Sequence, residues 1–452
     1  MATDIRSNGI TEGVIWKQLL KFFFPIVLGT FFQQLYNTVD AVVVGQYVGK
    51  EALAAVGGTT GCLINLLVGF FVGLTSGATV VISQYYGAKD GDGVSKSVHT
   101  SIALALAGGL VLTVVGFFLV PEGLRIMNTP EEIIRDSKTY IQVYFLGVIP
   151  MLVYNMGSGI LRAIGDSKRP LYILIVCCLI NIVLDILFVK EFGMGVAGVA
   201  LATMIAQIVS GVLVMLLLMK SDDCYRFRIR STRFDGPILR HVLRIGFPAG
   251  LQSMLFTVSN LYIQSSVNIF GTDIIAGWTT LGKVDSLVWM VLDAFGISIT
   301  TFVGQNIGAG KTDRVKRAIL VCGAMAMAFC LLFSGMVALF GDAIMSIFST
   351  DAGVIAAAMM LMGCLYPFYI TYVPVTILGG ALRGAGDSFR PMIFVGLGIC
   401  LFRTIWIAVT RYTGAYVTFM VYSYPASWLL TSSIFIAYYL KGNWMRRARR
   451  VL

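Results

Sequence analysis

Apolar runs of about 20 residues or more recur along the whole chain, separated by short polar breaks. Each run is long enough to cross a bilayer core of about 30 Å as a helix rising about 1.5 Å per residue. The pattern predicts twelve spans, near 16–46, 52–85, 97–120, 137–160, 171–190, 195–219, 241–270, 273–307, 318–340, 353–381, 392–410 and 415–440. Several exceed the minimum length, so they tilt or project beyond the membrane.

The polar breaks repeat. Leu161-Arg162-Ala163-Ile164-Gly165-Asp166-Ser167 recurs as Leu382-Arg383-Gly384-Ala385-Gly386-Asp387-Ser388, 221 residues later. Gln84 to Ala88 matches Gln305 to Ala309 in the same register, and Pro25 and Asn37 match Pro248 and Asn260 at an offset of 223. Internal repeats decide a fold before other signals do. The expected architecture is an all-α polytopic membrane protein. Its twelve transmembrane helices form two six-helix bundles, residues 1–225 and 226–452, related by a pseudo-two-fold repeat. Duplicated apolar halves are a mark of secondary transporters.

Composition agrees. Of the 452 residues 57% are hydrophobic and 13% charged, and mean hydropathy is +0.83; soluble chains carry roughly twice that share of charge. Of the 34 Lys and Arg, 26 fall in the termini and in loops 2–3, 4–5, 6–7, 8–9 and 10–11, and six in the opposite loops. The positive-inside rule then places both termini and the repeated Gly-Asp-Ser loops in the cytoplasm, within a bacterial-type plasma membrane. The net charge of +11 reflects topology and contact with anionic lipids, and requires no nucleic-acid partner. The linker Arg226 to Arg244 and the tail Arg446 to Arg450 carry much of it. Met1 to Thr11 is polar and the first apolar run is too long for a signal peptide. The eight cysteines have no CxxC spacing, and no glycine loop for ATP is present.

Charges inside a bilayer cost several kcal/mol and usually face a cavity. Six lie well inside spans: Asp40, Asp185, Lys283, Asp285, Asp293 and Arg403. On the first span Gln33, Tyr36, Asn37 and Asp40 fall at i, i+3, i+4 and i+7, one helical face. Asn181 and Asp185 share a face of span five. Span four offers Tyr140, Tyr144, Met151, Asn155 and Ser158, and span six Thr203, Gln207 and Ser210. Such oxygens suit a hard cation. Two neighbouring carboxylates also repel, which favours a proton on one of them. Sodium and protons both remain open.

The second half has diverged. Span seven carries Ser253, Asn260 and Gln264 but no acid, so the first half is the expected ion-coupling half. Lys283 and Asp285 are two residues apart and do not share a face, so each needs another partner; Arg403 of span eleven is one candidate. Asp293 is expected to face a cavity, and aromatic residues such as Trp289 to hold flat organic cations by stacking. Pro25 interrupts span one about fifteen residues before Asp40, where a proline lacks its N–H, and is the expected hinge.

On the Pro25 to Asp40 helix, both Leu-Arg-x-x-Gly-Asp-Ser loops, the Gln84 and Gln305 segments and Asn181-Ile182-Val183-Leu184-Asp185, the chain resembles the MATE (multidrug and toxic compound extrusion) family. The DinF-like branch is the nearer match. The resemblance implies two six-helix bundles and export of cationic, amphipathic compounds by sodium or proton antiport. It also implies an ion site on Asp40, Tyr140, Asn155, Asn181, Asp185 and Thr203, with Asp40, Asn181, Asp185 and Thr203 as ligands if the ion is a metal. Substrate is expected at Gln33, Tyr36, Asn37, Met151, Asn260, Trp289 and Asp293. The chain is expected to act as a monomer, without an organic cofactor. The alternative is a flippase for a lipid-linked saccharide, which needs a cationic cavity that only Lys283 and Arg403 would supply. No catalytic constellation lies within the spans, so an enzyme is not expected.

Overall fold

The computed structural model describes residues 9–126, 129–414, 416–442 and 444–445. Among these every regular element is helical. Nine helical stretches are long and apolar enough to cross a bilayer, and ten when one bent pair counts as a span. The other two expected spans are helical as well, over Gly236–Val267 and over Val417–Val421 with Ser423–Leu440. The basic tail from Arg446 to Arg450 lies outside the described residues.

One compact unit is built on Leu20–Met254. Its helices are α1 (Ile15–Val43), whose first residues belong to the other unit, α2 (Lys50–Gly57), α3 (Thr59–Gly87), α4 (Gly91–Phe118) and α5 (Val120–Ile126). They continue as α6 (Glu131–Leu146), α7 (Val148–Ala163), α8 (Lys168–Asp185), α9 (Gly195–Met219) and the first part of α10 (Gly236–Val267). The pair α6 and α7 is span four, bent by 49° at Gly147. A Cβ there would sit 3.2 Å from Met204 Cα and 2.4 Å from Gln207 Oε1, so glycine suits the close approach of α9. Span one ends in a π-helical turn, Val44–Val48, and span five in another, Ile186–Glu191. These two turns pack on each other and on α9.

The other unit comprises Glu12–Leu19 and the described residues of Leu255–Leu452. It holds the rest of α10, then α11 (Thr272–Gly308), α12 (Thr312–Ser346), α13 (Ala352–Leu365) and α14 (Val373–Gly384). After these come α15 (Phe389–Val395), α16 (Phe402–Thr413), α17 (Val417–Val421) and α18 (Ser423–Leu440). A 3₁₀ stretch, Tyr366–Tyr372, joins α13 to α14, and a π turn, Gly396–Leu401, joins α15 to α16.

The division falls between Met254 and Leu255, inside α10, and not at the 225/226 boundary that linker composition suggests. Backbone contact explains the difference. A Cβ on Gly73 of α3 would lie 2.4 Å from Gly250 Cα, and one on Gly77 2.5 Å from Gly246 N. Small residues let helices in lipid pack backbone to backbone. The start of α10 is therefore held by α3.

The sequence repeat is also a structural one. Gly165 (φ +95°) and Gly386 (φ +87°) end their helices in left-handed conformation. Gly165 N–H donates to Arg162 O and Asp166 N–H to Leu161 O, and the same pair recurs from Gly386 to Arg383 and from Asp387 to Leu382. These are helix C-caps that satisfy otherwise orphaned carbonyls. Asp166 then accepts from the Lys168 and Arg169 amides, and Asp387 from the Arg390 amide, opening the next helix.

Candidate functional site

The helical spacing of the polar stripe on α1 brings it to a cavity of about 530 Å³ within the first unit. Gln33, Tyr36, Asn37 and Asp40 line one wall; Tyr140, Met151 and Asn155 of the bent α6–α7 span another; Asn181 and Thr203 complete it from α8 and α9. Tyr144, Gln207 and Ser210 join the lining as the span-four and span-six stripes predict. No lysine or arginine lies among the lining residues.

Asp40, Asn181, Asp185 and Thr203 are all buried, at 6%, 1%, 0% and 4% exposure. Thr203 donates to Asp40 Oδ2 at 3.4 Å, a long contact. Asp40 Oδ1, both side-chain atoms of Asn181 and both carboxylate oxygens of Asp185 have no hydrogen-bond partner. Asn181 lines the same cavity as Asp40, and Asp185 lies one helical turn beyond Asn181 on α8. Buried polar groups are nearly always paired, so a nest of orphaned oxygens around two carboxylates has room for an occupant that supplies positive charge. Each acid stands just before a π-helical turn, Asp40 four residues before Val44 and Asp185 directly before Ile186. Such wider turns loosen the helical ladder and recur at functional sites.

Asp185 itself sits behind the cavity wall. Tyr140 and Tyr144 stack with ring centroids 6.1 Å apart, and Tyr144 Oη approaches Met151 Sδ at 3.6 Å. Among the amide, hydroxyl and carboxylate side chains of the lining, sequence reasoning missed Asn65 of α3 and Tyr154 of α7. The signal for Asn65 was present: it is a lone amide in the apolar run Leu63-Ile64-Asn65-Leu66-Leu67.

The second-half candidates are not brought to this cavity. Asn260 and Asp293 are exposed in the second unit. Trp289 packs against Tyr369, Tyr372 and Trp428. The pairing of Asp285 or Asp293 with Arg403 is not what forms. Asp285 Oδ1 instead accepts from Tyr366 Oη at 2.9 Å and Tyr369 Oη at 2.6 Å. Arg403 donates to Ser427 Oγ at 3.0 Å and lies 3.8 Å from the Tyr424 ring centroid. Lys283 is exposed and stands over the Phe348 ring at 5.8 Å. Two of the three tyrosines of the 3₁₀ stretch, Tyr366 and Tyr369, turn their hydroxyls onto Asp285, while the Arg403 guanidinium meets Ser427 and an aromatic face.

The family model described as MatE matches residues 25–187 and 248–409, once in each half. The chain belongs to the MatE family. Over 446 residues it is 28% identical to the probable multidrug resistance protein YpnP of Bacillus subtilis, covering 97% of this chain and 98% of the relative. A probable multidrug resistance protein NorM of Thermotoga maritima shares 25% over 450 residues, covering 96% and 94%. Among solved structures, a MATE in the bent conformation matches with a TM-score of 0.89 at 21% identity, over 98% of this chain and 99% of that one. MatE proteins are transporters, and this one is a multi-pass membrane protein.

Proposed function

We propose that the chain is a secondary active antiporter that exports organic cations or other amphipathic compounds from the cytoplasm in exchange for Na⁺ or H⁺. One observation carries the reading: the first-unit cavity is lined by a buried carboxylate, Asp40, whose Oδ1 has no hydrogen-bond partner, and by no basic residue. A cation is the occupant that such a lining favours. For Na⁺ the ligands are Asp40, Asn181, Asp185 and Thr203, all hard oxygen donors. For H⁺ the two acids share the proton, and Tyr140 and Asn155 complete the polar surround. Gln33, Tyr36, Asn37 and Met151 form the face that an amphipathic substrate meets, with Asn260, Trp289 and Asp293 as further contacts outside this cavity.

Exchange follows if ion and substrate prefer different states of the same unit. Pro25 supplies a place for that change. α1 continues through it, but the proline cannot donate to the preceding turn, so bending there costs less than elsewhere in the helix. Solved MATE structures exist in a bent and in a straight conformation, which supports such a pair of states here. A flippase for a lipid-linked saccharide would need cations facing a pyrophosphate, and the cavity lining offers none.

The test is efflux of a fluorescent organic cation from proteoliposomes under an imposed Na⁺ gradient and, separately, a pH gradient. One of the two should drive transport, while an anionic dye stays put. Failure of both gradients, with the protein correctly inserted, would overturn the antiporter reading.

A further inference from the structure

A second cavity of the first unit, about 910 Å³, is separate from the polar nest within the spans. It opens at the basic end of the bundle, where α4 begins and where the linker 220–235 leads into α10. Six cations and five carboxylates line it. Four of the five carboxylates have a local partner, two at helix ends and two in ion pairs. Asp90 caps α4 by accepting from Gly93 N–H, and Asp235 caps α10 by accepting from Ile238 N–H. Asp92 pairs with Lys96 at 2.8 Å and Asp222 with Arg226 at 3.8 Å. Lys89, Arg228, Arg230 and Arg233 keep exposed side chains and form no ion pair among the described residues, and the lining as a whole carries one more cation than carboxylate.

The arginines are held in place. Arg228 N–H donates to His99 Nε2 at 3.1 Å, while His99 Nδ1 meets Ser95 O at 2.7 Å. Phe227 stacks on the His99 ring with centroids 5.2 Å apart. Asp235 N–H donates to Thr100 Oγ1 at 3.1 Å. The linker backbone is thus clipped to α4 at both ends of the arginine run, which fixes the segment that carries the cations.

Lys89 adds an independent sign. It is the one non-glycine residue with positive φ among the described residues, at +58°. Its counterpart in the repeat, 221 residues on, is Gly310 at +71°, closing the same helix end. Glycine fits that conformation without strain, yet the first half has a lysine there, at the rim of this cavity. Non-glycine strain of this kind concentrates where a side chain has a job.

We propose that this cavity is a binding site for a phosphate-bearing anion, presented by the headgroup of an anionic phospholipid. Arg228, Arg230 and Arg233 would hold the phosphate by charge-assisted hydrogen bonds, with Lys89 as a point charge at the rim. The lipid is favoured as the source because Ile229 and Phe234, interleaved with these arginines, are 65% and 50% exposed. Exposed apolar residues beside arginines are the pattern of a segment seated in the headgroup layer.

The experiment is thermal unfolding of the full chain in phosphatidylcholine nanodiscs with increasing phosphatidylglycerol, and in detergent with inorganic phosphate or glycerol 3-phosphate. Phosphatidylglycerol should raise the wild-type midpoint. The triple variant R228Q/R230Q/R233Q should lose roughly half of that shift or more. Lys89→Gly, which the repeat itself tolerates, should start from a higher midpoint and gain less from phosphatidylglycerol. Lys316→Gln/Arg317→Gln, exposed cations of the second unit, should respond as wild type does. A full shift in both the triple variant and Lys89→Gly, or an equal loss in the Lys316/Arg317 control, overturns the site. A variant-sensitive shift with the soluble phosphates overturns the lipid as the source and assigns the same cations to a free phosphate.

Discussion

Asp185 buries both carboxylate oxygens without a donor for either. A buried polar group left unpaired costs about 1–3 kcal/mol. Asp40→Asn and Asp185→Asn each lower that electrostatic cost, so inserted yield and melting temperature should hold or rise. Gradient-driven efflux should fall by at least about tenfold in each, the effect of losing 1.4 kcal/mol of differential ion binding. Transport assays paired with size-exclusion profiles check both halves of that expectation. At this scale the sequence was readable where a face could be counted: Gln33 to Asp40 and Asn181 to Asp185 fall on helical periods, and the structure brings Asp40 and Asn181 to one cavity with Asp185 behind its wall. It was not readable for Asp285, whose tyrosine partners lie 81 and 84 residues away and approach through a 3₁₀ stretch.

Two elements carry the mechanical side of the account. α3 and the start of α10 touch through backbone at Gly73 and Gly77. Gly73→Leu should force them apart and destabilise the first unit by about 1–3 kcal/mol, measurable as a lower melting temperature in detergent. α1 carries the proposed hinge. A pair of spectroscopic probes straddling Pro25 should change separation with pH or Na⁺ in the wild type and stay fixed in Asp40→Asn. An identical response in both proteins would move the switch away from α1. Helix positions were legible because apolar run length alone sets them. The π turns after Asp40 and Asp185 were not, since nothing in the residue pattern of Val44–Val48 or Ile186–Glu191 separates them from ordinary helix. Nor was the division inside α10, which depends on glycines of two helices meeting across the bundle.

At the scale of the molecule, the repeat made the fold readable: two Gly-Asp-Ser loops in one register form the same caps 221 residues apart. The orientation expected from the distribution of basic residues is open to a direct check. In a Cys62→Ala background, Asp223→Cys should be labelled by an impermeant maleimide only from the cytoplasmic side and Glu131→Cys only from outside. The native neighbour Cys224 is buried, and that burial holds its thiol above the ordinary range and out of reach of the reagent, so it stays silent at neutral pH. Labelling of both sites from one face would break the twelve-span topology. The central claim is that an ion held by Asp40 and Asp185 is displaced when an organic cation binds. Linkage requires this displacement to be visible without any membrane gradient. The measurement is ion release on adding a saturating organic cation to the purified protein, followed by a pH indicator in weak buffer and by a sodium electrode. The wild type should release protons or sodium, and Asp40→Asn and Asp185→Asn should release neither while still binding substrate. Undiminished release from both variants, or substrate binding to wild type with no ion released, would contradict the account.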